Sequence, residues 1–109
     1  LPYYQRVVRE NPYSMAGWLG FGWCLKRSGQ LAEAIDALAD GMNYCENEPA
    51  LAYNLSCYHS LAGNIQAAIK YLNKAIASDD RFRSLTSCER DFDSIRNDPR
   101  FVAVVGQPV

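Results

Sequence analysis

The groups from which chemistry could be built are few: one histidine, four cysteines and 12 acidic side chains in 109 residues. His59 would be the obvious general base, and Cys57 is the nearest soft nucleophile. Two residues apart on a helix, their side chains point to different sides, which is poor geometry for a cysteine–histidine pair. No acid is placed by spacing to work with His59, so packing between helices is its expected role. Cys24, Cys45, Cys57 and Cys88 are separated by 21, 12 and 31 residues, so no CxxC pair exists. Zinc ligands usually come as close pairs, and no metal is expected; chelation should leave the fold alone. An even count keeps disulfides formally open, but free thiols acting as small apolar fillers are the expectation, and they point to a reducing, cytoplasmic setting. Asp79 and Asp80 form a carboxylate pair that reads as a solvated loop. There is no glycine-rich phosphate loop. No catalytic residue and no cofactor are expected, and an enzyme is the least favoured class.

The remaining composition points the same way. Hydrophobic content of 49% with 21% charged residues is ordinary for a folded domain, and 109 residues suit one. Eleven basic and 12 acidic residues leave a formal charge of −1, and no stretch is basic enough for nucleic acid or an anionic membrane. The apolar runs are far shorter than the roughly 20 residues that span a bilayer. The opening LPYYQRVVRE has no apolar core of the signal-peptide kind.

What must position these side chains is a repeat. Sliding the chain by 34 residues sets Gly29 on Gly63, Leu31 on Ile65, Ala34 on Ala68, Ile35 on Ile69 and Leu38 on Leu72. Phe21 falls on Leu55, Gly22 on Ser56 and Gly41 on Ala75, so small residues meet small ones and large apolar ones meet large ones. Each unit reads as two helices. Trp18, Phe21, Gly22 and Leu25 share one helical face; Leu31, Ala34, Ile35, Leu38 and Met42 share another. Gly29 and Gly63 end the first helix of each unit, since glycine takes the left-handed conformation cheaply. Small residues at Gly22, Ala34, Ser56 and Ala68 let backbones cross closely. Helices are predicted near 2–11, 14–28, 31–45, 49–62 and 65–78, with a short one after Asp98 that ends at Gly106.

The pattern Trp18-x-x-Phe21-Gly22-x-x-Leu25, then Ala34-x-x-x-Leu38, resembles the signature of the tetratricopeptide repeat family. Ala52-x-x-Leu55-Ser56-x-x-His59, then Ala68-x-x-x-Leu72, resembles it again, and both units have an acidic residue, Glu46 or Asp80, in place of the terminal proline. The resemblance implies an all-α fold of antiparallel helix pairs wound into a right-handed superhelix. It divides the chain into a preceding half-repeat at 1–12, repeats at 13–46 and 47–80, and a capping segment at 81–109. The half-repeat rests on Tyr4 and Pro12 and on Val7 and Val8, which fall on Gly41 and Met42. A further unit would put Thr86, Glu89, Arg90 and Asp93 in its core, so 81–100 is expected to cap rather than continue the array. FDSIRNDPRF resembles tails that close such arrays.

The resemblance also implies a concave groove lined by first helices. Carried over, its positions are Ala16, Leu19, Gly20, Trp23 and Lys26, then Ala50, Tyr53, Asn54, Cys57 and Ser60. Trp23 is five residues from Trp18, well round the helix, so one indole is expected to leave the core or to meet a neighbouring helix or the tail. The carboxylate clamp of the chaperone-binding branch is missing: Asn54 fits it, but Leu19, Trp23, Ser84 and Cys88 replace its other residues. The expected function is a protein–protein interaction module that holds a peptide or partner helix against Leu19, Trp23, Lys26, Tyr53, Asn54 and Cys57. The alternative is a self-associating segment of a larger scaffold, joined as a homo-oligomer through Leu1, Tyr3 and Tyr4 on the first helix; an accessory domain of an enzyme stands well behind both.

Overall fold

A computed structural model describes residues 2–106, and all the regular structure in them is helical. The order is α1 (Pro2–Glu10), α2 (Met15–Arg27), α3 (Leu31–Tyr44), α4 (Pro49–Leu61), α5 (Ile65–Ser78) and α6 (Arg81–Leu85). Two 3₁₀ helices, Thr86–Cys88 and Arg90–Ile95, then lead into α7 (Pro99–Val105). Each of the first five helices packs on the next one in the chain, as short connections require.

The boundaries follow from local chemistry. Ser14 caps α2 by accepting from the Gly17 amide at 3.0 Å. At the far end Gly29, at φ +78°, lets the amide of Gln30 reach back to the Leu25 carbonyl at 2.9 Å and its own amide reach Lys26 at 3.0 Å. Gly63, at φ +82°, does the same for α4: Asn64 donates to His59 at 2.8 Å and Gly63 to Ser60 at 3.1 Å. The starts and ends of α2 and α3 recur in α4 and α5 after 34 residues at all four boundaries. The sequence period is thus a period of the backbone.

The core sits where the paired helices cross. Ala34, Leu38, Leu55, Ala68, Leu72 and Ala75 are wholly buried. A Cβ on Gly22 would lie 2.8 Å from Leu38 Cδ2, so any larger residue at the first crossing would require the buried Leu38 side chain to shift. At the matching place in the second, Ser56 is tolerated because its hydroxyl donates to the Ala68 carbonyl at 2.6 Å. Trp18 is buried too; its Nε1 donates to the Pro12 carbonyl at 2.7 Å and its ring stacks on Tyr44. On α1, Val7 and Val8 lie against Gly17, and the Tyr4 ring fills the place a Cβ on Gly20 would take.

Residues 81–106 fold back on α4 and α5. Asp79 and Asp80 begin this tail by pairing with Arg81 and Arg83. The Arg83 guanidinium donates to the Val104 carbonyl at 2.6 Å, and that of Arg96 to the Thr86 and Glu89 carbonyls at 3.0 and 2.8 Å, so two arginines tie irregular backbone together. Thr86, polar but buried, donates its hydroxyl to Arg83 O at 2.7 Å. Phe92, Ile95, Phe101 and Val104 supply the tail's apolar side. Asp98 caps α7 through the Arg100 amide at 2.8 Å.

Candidate functional site

The tail decides which face of α4 is open. Tyr53 and Cys57, expected in the groove, are buried at 6% and 2% exposure. The Tyr53 ring lies 5.1 Å from that of Phe82 and 5.8 Å from that of Phe92, edge to face with the latter. Ser60 is covered as well, and its hydroxyl donates to the Asp91 carbonyl at 2.6 Å. These positions are corrected from partner-facing to tail-facing. The physical reason is that Phe82 and Phe92 need apolar cover and α4 offers it on this stripe.

The neighbouring stripe of α4 is open in part: Ala50 and Asn54 are partly exposed, whereas Tyr58 is buried at 3% exposure. Asn54 and Tyr58 line a shallow recess of about 450 Å³ together with Tyr4 of α1 and Ala16, Leu19, Gly20 and Trp23 of α2. Trp23 is 51% exposed, and Leu19 is partly buried against the core. The Arg27 guanidinium sits 4.9 Å from the centre of the Trp23 ring and the Lys26 ammonium 5.6 Å from that of Tyr58, so two cations edge an aromatic surface. Lys26 also reaches Asp91 of the tail at 3.4 Å. The Asn54 side-chain amide donates to Ala50 O at 2.8 Å. Burial raises the Tyr58 hydroxyl to about 12, helped by Cys57 and by the Asp91 and Glu89 carboxylates, so it stays a neutral donor.

Of the expected groove residues, Leu19, Trp23 and Asn54 line this recess, Lys26 sits beside it on the Tyr58 ring, and Tyr53 and Cys57 lie beneath the tail. Tyr58 was missed, and Tyr4 was expected as a site residue only in self-association. Tyr58 follows Asn54 by four residues, so the stripe 50/54/58 was readable as a helix face; nothing in the sequence favoured it over 53/57/60. Of the residues expected to self-associate, Leu1 lies outside the described residues. Tyr4 is corrected to an intrachain packing residue on Gly20 that also borders the recess, and Tyr3 is exposed.

The cysteines are free thiols, as the spacing suggested. Cys45 and Cys57 are buried fillers; Cys88 is exposed and fills nothing, and Cys24 is intermediate. Burial pushes the Cys57 thiol far up, and the Glu89 and Asp91 carboxylates push it further, against a smaller opposing pull from Lys26. His59 stacks flat on Tyr71, 5.6 Å between centres, and burial lowers its pKa. It is held as a packing ring, with Asn64 at 3.2 Å from its Nδ1. Among the described residues no helix is long and apolar enough to cross a membrane. No protein-family model matches the chain, and no curated protein matches it significantly in sequence.

Proposed function

We propose that this chain is a helical-repeat interaction module of the tetratricopeptide-like kind, and that it holds a peptide in the recess between α1, α2 and α4. The observation that carries the reading is the half-exposed Trp23, which lines a shallow recess with Tyr4 and Tyr58 and carries the Arg27 guanidinium over its ring. Exposed aromatic surface of this form is characteristic of recognition sites. Its occupant is a segment with one aromatic or branched apolar anchor and an adjacent carboxylate. The chain's own tail supports this choice: beside the recess it lays Phe92 on α4 and turns Asp91 to Lys26. A partner peptide continues the same chemistry toward Arg27.

The test is an array of short peptides that pair a Phe or Leu anchor with Asp, Asn or Lys one or two residues away, probed with the parent chain and with Trp23→Ala. The acidic peptides are expected to be retained by the parent and lost by the variant, whose helix content should not change because Trp23 is a surface residue. Equal retention by Trp23→Ala, or no preference for Asp over Lys, would sink the proposal. Tyr3, exposed on α1, supports the second reading, self-association through that helix. A sedimentation mass that rises with concentration in the parent and not in Tyr3→Ser would favour it.

A further inference from the structure

Three potential metal donors from two distant parts of the chain meet under the tail. Cys57 Sγ on α4 and one carboxylate oxygen each from Glu89 and Asp91 all lie within 4.8 Å of one another. We propose that Cys57, Glu89 and Asp91 form a divalent-cation site that suits Zn²⁺, with water completing a tetrahedron and the ion tying the tail to α4.

The first argument is the chemistry of the set. One thiolate and two carboxylates are accepted Zn²⁺ ligands, with bonds of about 2.0–2.3 Å, and tetrahedral angles then place donors roughly 3.5 Å apart. The donors here need to close by about 1 Å or a little more. Glu89 caps the Arg90–Ile95 turn by accepting from the Asp91 amide at 3.2 Å through Oε1, and a small side-chain rotation that keeps this bond can turn its carboxylate toward the ion. The second argument is the burial of the thiol. Cys57 is 2% exposed in the apolar core, and its sulfur nonetheless lies within 4.8 Å of a carboxylate oxygen of each acid, which brings two polar donors to a buried thiol. The third concerns charge. Asp91 is only 16% exposed at its side chain, and a second carboxylate stands beside it. The ammonium that answers them, Lys26, touches Asp91 at 3.4 Å, longer than the about 2.7–2.9 Å of a good charge-assisted bond. Its side chain is a third exposed, so it can leave Asp91 for water when a cation arrives. The spacing of the cysteines alone hides this site, because two of its ligands are acids from a segment without a repeat. It adjoins the recess through Lys26, but the proposal does not rest on peptide binding.

The test uses Co²⁺ as a probe on the reduced 109-residue chain carrying Cys24→Ser and Cys88→Ser, which removes the more accessible thiols. One equivalent is expected to produce the thiolate-to-cobalt charge-transfer band, and Zn²⁺ should displace it. Cys57→Ala should abolish the band. Should Cys57→Ala fail to fold, the paired variant Glu89→Gln with Asp91→Asn, made at partly exposed side chains, must lose it while keeping parent helicity. No band in the parent, or a band that survives in either folded variant, overturns the proposal.

Discussion

Phe92→Ala tests the most consequential packing event in the molecule, the closure of the tail on α4. Phe92 is wholly buried, its ring 5.8 Å from Tyr53 and 5.2 Å from Phe101. Truncating a buried Phe to Ala removes its transfer free energy and leaves a cavity, together about 3–5 kcal/mol. The edge-to-face pair with Tyr53 places the cost in the upper part of that range, since such pairs add about 0.5–1.5 kcal/mol beyond area. Domains of this size hold only about 5–15 kcal/mol in all. At roughly 4 °C per kcal/mol, Tm should fall by about 16–20 °C. Phe92→Leu keeps most of the volume and should cost less than about 1.5 kcal/mol. A second readout locates the damage. With Cys24 and Cys88 changed to Ser, the two remaining thiols are both buried, but only Cys57 lies under the tail. A thiol reagent should label Cys57 faster in Phe92→Ala, through local opening of the tail, with Cys45 slow as in the parent. A melt within a degree or two of the parent, with Cys57 still protected, would show that the tail does not close the face of α4.

Other consequences can be measured on the same material. Ala34→Leu and Ala68→Leu each force three carbons into wholly buried crossings and should cost about 1–3 kcal/mol by chemical denaturation; unchanged midpoints would contradict the crossings. Gly29→Ala and Gly63→Ala meet no atom within 4 Å but put a Cβ on left-handed backbone, so each should lose about 1–2 kcal/mol through φ alone, without any change in packing. Acid should loosen both ends of the tail. The Arg81 and Arg100 side chains hold the Asp79 and Asp98 carboxyls below their usual range. A depressed folded value means the stabilisation is present above about pH 4 and is lost as pH falls through the lower, folded value. Asp98→Asn should flatten that part of an acid titration followed by circular dichroism.

The helices were legible because their signals are local. Gly29 and Gly63 fix two ends, Ser14 and Pro49 two starts, and the apolar spacing from Leu31 and Ile65 does the rest. The tail was not, for the opposite reason. Phe82, Phe92, Ile95 and Phe101 follow no single period, and the 3₁₀ turns that aim them are held by Arg83 and Arg96 bonding to carbonyls up to 21 residues away. The recess inherited that error. Which stripe of α4 is covered, 53/57/60 or 50/54/58, depends on where the tail lies, and each stripe carries one tyrosine among small or polar residues. Lys26 shows the same limit: its partner Asp91 is 65 residues on.

The two tryptophans make the molecule its own optical gauge. Trp18 is sealed against Tyr44, 6.0 Å between ring centres and 12° from parallel, with its indole N–H engaged by Pro12. Trp23 stands half in water beneath the Arg27 guanidinium. The first should emit to the blue, collect energy from the nearby tyrosine and resist soluble quenchers until the chain unfolds. The second should emit to the red and yield readily to iodide, an anion that Arg27 draws in. One fluorescence spectrum, recorded with and without iodide, therefore separates the integrity of the fold from the occupancy of the recess, with no label attached.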